Sequence, residues 1–233
     1  MALFPVGHLN KPEVRAIARE QKLSTAEKKD SQGICFVGKV DLPEFLQQKL
    51  ESRTGNIVEI PDNLTIYSDY KEILKDDKLL PDRLKEITCS FSYSQSDGII
   101  VGTHEGSHYF TIGQNKGLNI GGRPEQSFVI GIDVKNNIVY TGQGQNHPGL
   151  YRKGLFIPRE DIHWLREDLK LMPGESKEYQ VRIRYRQPLQ KAELYMKEDG
   201  LYIIFDKLQR GITPGQFAAW YDSNELLGSG VIF

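Results

Sequence analysis

Glycine and asparagine punctuate this chain from Gly55 onward, cutting it into short runs in which apolar and polar residues alternate, and no other feature restricts the fold as much. Alternation puts apolar side chains on one face of a strand, whereas a helix needs them three and four residues apart. Residues 109–112 read as one strand, and residues 128–134 and 138–141 flank Lys135-Asn136-Asn137 as a hairpin. Beyond Pro148 five further runs, at 178–186, 192–197, 201–205, 217–221 and 226–232, are separated by turn signals such as Asp199-Gly200 and Pro214-Gly215. Short antiparallel strands at regular spacing predict a small closed or nearly closed barrel, because closure removes the sticky edges of a sheet.

The first fifty residues differ. Asn10 is a helix N-cap with Glu13 placed to reciprocate and Pro12 tolerated in the first turn, and Val14, Ile17 and Ala18 follow as an apolar stripe. A second helix start falls at Asp41-Leu42-Pro43-Glu44, with Phe45, Leu46 and Leu50 on one face. The expected fold is therefore mainly β: a short helical segment over 1–50, a small central β domain over 51–147, and an antiparallel β-barrel over 148–233. Within the central domain, residues 62–96 are charged and irregular and read as an insertion, with 70–79 helical and Cys89 a packing residue or free surface thiol.

At 233 residues the chain is long enough to bury a core, and its net charge of -1 excludes a polycation that binds nucleic acid through a global field. Any contact with nucleic acid must come from local patches. Two cysteines make no disulfide framework, no stretch resembles a signal peptide, and no apolar run is long enough to span a bilayer, so a reducing cytoplasm is expected. The opening Leu3-Phe4-Pro5-Val6-Gly7 reads as a strand and turn from the middle of something larger.

Cys35 is the candidate for covalent chemistry. It lies in Lys28-Lys29-Asp30-Ser31-Gln32-Gly33-Ile34-Cys35-Phe36-Val37-Gly38, an apolar segment between glycines with two lysines ahead of it. The nucleophile is the thiolate, which nearby cations stabilise. The competing reading makes Cys35 a small hydrophobe in a buried strand. Residues 113–123, with Gly113, Lys116, Gly117, Gly121, Gly122 and Arg123, lack the Gly-Lys-Ser/Thr ending of a phosphate loop, which leaves tight-turn glycines or an RNA phosphate contact. His104 and His108 have no third ligand nearby, so a hydrogen-bonded or solvated pair is expected there and no metal. In Val181-Arg182-Ile183-Arg184-Tyr185-Arg186-Gln187 alternation puts the arginines on one face and Val181, Ile183 and Tyr185 on the other. That row suits phosphate contact with base stacking, or a solvated strand face.

Read together, Phe4-Pro5-Val6-Gly7-His8-Leu9, the Cys35 segment, Tyr109-Phe110-Thr111-Ile112-Gly113-Gln114 with Lys116-Gly117, Gly142-Gln143-Gly144, Arg184-Tyr185-Arg186-Gln187 and Thr213-Pro214-Gly215-Gln216 resemble the tRNA-specific 2-thiouridylases, in order and over nearly the whole chain outside 62–96. The resemblance implies the C-terminal portion of such an enzyme, without its ATP-pyrophosphatase phosphate loop or first catalytic cysteine. It implies that Cys35 carries a persulfide received from a sulfur-donor protein, forming a disulfide with the first cysteine on release. Arg184, Tyr185 and Gln216 match positions that touch tRNA, and Lys28, Lys29, Lys116 and Arg123 are added as phosphate contacts on charge grounds. ATP belongs to the domain not present, no cofactor is expected in this portion, and it is expected to be monomeric and inactive alone. The alternative is a stand-alone RNA-binding or adaptor module in which Cys35 is packed.

Overall fold

The computed structural model describes residues 5–28, 52–75, 81–185 and 187–233. Cys35, Lys29, Arg186 and the helix expected from Asp41 lie outside the described residues. The chain divides into two units, Met1–Glu51 and Ser52–Phe233.

In the first unit, α1 (Lys11–Glu20) begins at the expected capping box: Asn10 accepts from the Glu13 amide, and the Glu13 carboxylate accepts from the Asn10 amide at 2.7 Å. These two bonds satisfy N–H groups that a helix start leaves without intrahelical partners. An ion pair between Arg19 and Glu27, together with a bond from Arg15 to the Lys28 carbonyl at 3.1 Å, folds residues 21–28 back toward the helix. None of the α1 residues is buried, and Ile17 of the apolar stripe is 44% exposed.

The second unit is mainly β, as expected. Its first sheet has the order β2-β1-β4-β3, formed by β1 (Gly55–Glu59), β2 (Ile99–His104), β3 (Ser127–Asp133) and β4 (Ile138–Gln143). β1 runs parallel to β4 and antiparallel to β2, while β3 and β4 make the expected hairpin. Asn137 turns that hairpin at φ +56°, a left-handed conformation that asparagine tolerates better than most residues. The second sheet is antiparallel, with seven strands in the order β5-β9-β8-β7-β10-β11-β6. They are β5 (Tyr151–Pro158), β6 (Ile162–Trp164), β7 (Ser176–Arg182), β8 (Gln190–Met196), β9 (Gly200–Arg210), β10 (Phe217–Asp222) and β11 (Glu225–Val231). The sheet curls as a half-barrel, and the Phe233 amide reaches back to the Phe156 carbonyl on β5 at 3.0 Å. Its interior is filled by alternate residues such as Val181, Leu194, Ile203, Phe205 and Trp220, the last set edge-on to Trp164 at 5.2 Å.

One expectation changes. Residues 109–112 are not a strand: Ser107–Tyr109 is a 3-10 turn entered through Gly106 at φ +151°, and the chain then loops. Residues 62–96, read as an insertion, carry ordered structure of their own. They form α2 (Thr65–Ile73) and α3 (Leu84–Thr88), whose Leu84 and Ile87 cover the outer face of β9 at Tyr202 and Ile204. Tyr70, buried on α2, donates to the Ile87 carbonyl at 2.9 Å and accepts from the Lys153 amide at 2.7 Å. The segment thereby packs on the second sheet, while Tyr93 at its far end sets its ring 5.4 Å from that of Tyr140 on β4 of the first.

Candidate nucleic-acid interface

One arginine draws three of the sequence motifs together. The Nη2 of Arg184, just past the end of β7, donates to the Gly211 carbonyl at 3.0 Å and to the Ile112 carbonyl at 3.3 Å. Gly211 also accepts from the Thr213 hydroxyl at 3.0 Å, so the Thr-Pro-Gly-Gln turn and the arginine meet at one oxygen. Ile112 belongs to the loop carrying Gly113 and Gln114. That loop is pinned on β3 by bonds from the Gly113 amide to the Val129 carbonyl at 2.7 Å and from the Val129 amide to the Gln114 carbonyl at 2.8 Å. The Gln114 side chain closes the loop on itself, accepting from the Thr111 amide and donating to the Lys116 carbonyl. Gly113 sits at φ +87°, which is why glycine suits this corner.

Beside this junction lies a cleft of about 520 Å³, lined by Phe110 and Ile112 from the first sheet's loop and by Thr213 to Gln216 from the barrel. The main chain of Gln216 is held by the residue that follows β11, its carbonyl accepting from the Ile232 amide at 2.8 Å, and its carboxamide has no partner among the described residues. Arg152, almost fully buried, lines the same cleft and donates to the carbonyls of Thr88 at 2.9 Å and Ile212 at 3.1 Å.

Tyr185 departs from its expected face. Val181 and Ile183 point into the core, but β7 ends at Arg182 and Tyr185 emerges 88% exposed. Gln187 makes this turn by accepting from the Ile183 amide at 3.1 Å and donating to buried Gln209 at 2.8 Å. The structure thus brings Arg184, Tyr185 and Gln216 to one end of the barrel. Lys116 is exposed on the adjoining loop, and Lys28 is exposed within the first unit. Arg123 is engaged in an ion pair with Glu59. His104 is buried, with Nδ1 accepting from the Gly106 amide at 2.9 Å, and burial holds its pKa below the ordinary histidine value. Among the described residues no cluster of three or more His, Cys, Asp or Glu is placed to hold a metal ion. Cys89 is an exposed free thiol. No helix among the described residues is long and apolar enough to cross a membrane.

Sequence reasoning missed Arg152 and Arg210. The barrel arginines Arg159 and Arg166 are ion-paired, whereas Arg152, Arg182, Arg184 and Arg210 have no carboxylate partner among the described residues. The sequence gives little direct sign of this: Asp168 lies two residues from Arg166, but Glu198 and Glu225, which pair with Arg159 and Arg166, lie 39 and 59 residues away.

Comparison with known proteins gives the class first. Three domain models match in succession: a tRNA methyl transferase HUP domain over residues 1–39, a tRNA methyl transferase PRC-barrel domain over 90–143, and an aminomethyltransferase beta-barrel domain over 156–232. A three-part arrangement of this kind, ending in a β-barrel, is the tRNA-modifying class. Among individual relatives, the tRNA-specific 2-thiouridylase MnmA of Christiangramia forsetii is 56% identical over 99% of this chain and 58% of its own length. That of Flavobacterium johnsoniae is 55% identical over the same shares, and that of Halalkalibacterium halodurans 40% identical over 99% of the chain and 51% of its own length. The chain belongs to the tRNA-specific 2-thiouridylase family, and it spans somewhat more than half the length of these relatives.

Proposed function

We propose that this chain is the C-terminal portion of an ATP-dependent tRNA sulfurtransferase that makes 2-thiouridine at the wobble position, with Cys35 as the persulfide carrier and the two β sheets as the tRNA-positioning part. The observation that carries the reading is the meeting of three separate sequence motifs at Arg184, beside exposed Tyr185 and the unpartnered carboxamide of Gln216. A guanidinium, an exposed aromatic ring and a free amide are what a folded single-stranded nucleotide segment needs: phosphate contact, stacking and edge hydrogen bonds. The named activity of relatives at 56% and 55% identity supports thiolation as the chemistry.

The chemistry sets what each part must supply. Oxygen at C2 of uridine is a poor leaving group, so ATP, bound by the HUP portion of the full-length protein, adenylates it and AMP becomes the departing group. The terminal sulfur of a Cys35 persulfide attacks C2 as AMP leaves. A second cysteine outside this sequence then attacks the inner sulfur, which breaks the S–S bond, releases the thiolated base and leaves a disulfide to be reduced. Carrying sulfur covalently divides a hard substitution into easier steps. Lys28 and Lys29 raise the thiolate fraction of Cys35, and with Lys116 they add phosphate contacts. The full-length enzyme works in the cytoplasm with a persulfide-donor protein, and this portion alone binds tRNA without thiolating it.

The test is the full-length protein with Cys35→Ser. It is expected to bind tRNA as the parent does and to yield no 2-thiouridine by nucleoside mass spectrometry. Thiolation retained in that variant removes Cys35 from the reaction, and absence of salt-dependent tRNA binding in the parent removes the whole reading.

A further inference from the structure

Two arginines span the seam between the sheets, and neither has a counter-ion among the described residues. Arg184 leaves the barrel to hold the Ile112 carbonyl of the first sheet's loop. Arg210, at the end of β9, lays its guanidinium over the Phe128 ring of β3, 4.8 Å from the centroid. It directly precedes Gly211, whose carbonyl Arg184 also holds. Both Arg184 bonds use Nη2, which leaves the N–H groups of Nε and Nη1 without a partner among the described residues. Arg210 makes no hydrogen bond or ion pair with any described residue, and its Nε is buried without a partner.

Like charges brought together with nothing opposite repel, and the barrel has the means to avoid this, since Arg159 and Arg166 are matched by Glu198, Asp168 and Glu225. Burial, and after it the neighbouring charge of Arg210, lower the Arg184 pKa from the ordinary arginine value. An anion would relieve both costs at once. The Nε and Nη1 groups of Arg184 each remain able to donate to a phosphate oxygen, and the Arg210 guanidinium, stacked on Phe128, has its hydrogen-bonding capacity unspent among the described residues.

Resting on the reading that this chain binds tRNA, we propose that Arg184 and Arg210 form a single phosphate notch at the seam of the two sheets, filled by one backbone phosphate of the tRNA. Because Arg184 holds the Ile112 loop and the Gly211 turn with the same guanidinium, filling the notch also fixes the first sheet's loop against the barrel. Arg184 is then a positioning residue as well as a contact.

The experiment is equilibrium tRNA binding by the full-length protein across a series of salt concentrations, comparing the parent with Arg184→Ala, Arg210→Ala and the double variant. Arg210→Gln keeps the side-chain length if the alanine variant misfolds. Each single variant is expected to weaken binding and to reduce the slope of log affinity against log salt by about 0.7 to 0.9, the contribution of one phosphate. Since both serve one phosphate, the double variant is expected to lose no more slope than either single variant. A slope for Arg210→Ala and Arg210→Gln equal to the parent's overturns the notch while leaving tRNA binding intact, and slopes that add in the double variant overturn the sharing of one phosphate. Failure of the parent to bind overturns the functional reading instead.

Discussion

The guanidinium of Arg123 closes on the carboxylate of Glu59 in a fork, with Nε to Oε2 at 2.8 Å and a second bond from Nη2 to Oε1. Gln143 donates to the same carboxylate at 2.9 Å, so the end of β1, the end of β4 and the glycine-rich loop are tied at one point. A positive charge matched this way offers less to a phosphate than an unmatched one. Arg123→Ala is therefore expected to lower the midpoint of thermal unfolding, because the nearly buried Glu59 loses its main partner, while the salt slope of tRNA binding stays at the parent value. Glu59→Gln in the same background is expected to restore part of the midpoint. A reduced salt slope in Arg123→Ala would return this residue to the phosphate contacts.

His147 gives the fold an acid-sensitive point. Its Nδ1 accepts from the Gly149 amide at 3.2 Å, which leaves Nε2 as the donor to the Ile60 carbonyl at 3.1 Å and fixes the neutral form. Burial lowers its pKa below the ordinary value. In the unfolded chain the ring takes up a proton as pH falls through about 6.5, whereas in the folded chain it does so only at lower pH. Stability is thus full above about pH 6.5 and declines as pH falls from there toward the folded-state value, and His104, lowered by burial as well, adds in the same direction. The urea midpoint is expected to drop between pH 7 and pH 5.5, and to drop less in His147→Gln. Equal drops in parent and variant would sink this assignment.

Tyr185 carries exposure without structural duty. Removing a ring that is 88% exposed is expected to change unfolding stability by less than about 0.5 kcal/mol. Loss of one base stack weakens tRNA binding by about 1–3 kcal/mol without changing its salt dependence. Tyr185→Phe should bind as the parent. A destabilised Tyr185→Ala, or unchanged tRNA affinity in it, contradicts the stacking role.

Gly211 and Gly215 form a matched pair for testing the seam. Both adopt left-handed backbone, at φ +70° and +82°, so alanine costs about 1–2 kcal/mol of strain at either position. A Cβ at Gly211 would lie 2.5 Å from Arg184 Nη2, whereas one at Gly215 would meet nothing within 4 Å. Similar stability losses are expected in the two alanine variants, with tRNA affinity falling several-fold further in Gly211→Ala. Equal affinities would show that the position of Arg184 does not matter to binding.

What could be read from the chain divides along the range of the interactions involved. The capping box of Asn10 and Glu13, the hairpin turn at Asn136-Asn137 and the alternation of β7 to β11 are local, and the sequence displays each directly. β5 escaped notice because Arg152 and Lys153 interrupt its pattern; Arg152 is buried only because the Thr88 and Ile212 carbonyls arrive from sixty or more residues away. The same holds for residues 62–96, which look hydrophilic until β9 supplies an apolar face for Leu84 and Ile87. Tyr185 was assigned to the inner face by continuing a period of two past Arg182, but Gln187 ends the strand through a side-chain bond that periodicity does not encode. At the interface, the resemblance marked Arg184, Tyr185 and Gln216, while the unmatched charge of Arg210 emerged from the absence of acids around it in three dimensions.

The pairing of β6 with β11 sets a schedule for the ribosome. Residues 162–164 have their partners at 228–230, so the strand that ends one edge of the curled sheet waits, unpaired, while more than sixty further residues are translated. At roughly 5–20 residues per second that interval lasts several seconds, long enough for chaperones to matter to the yield of this chain.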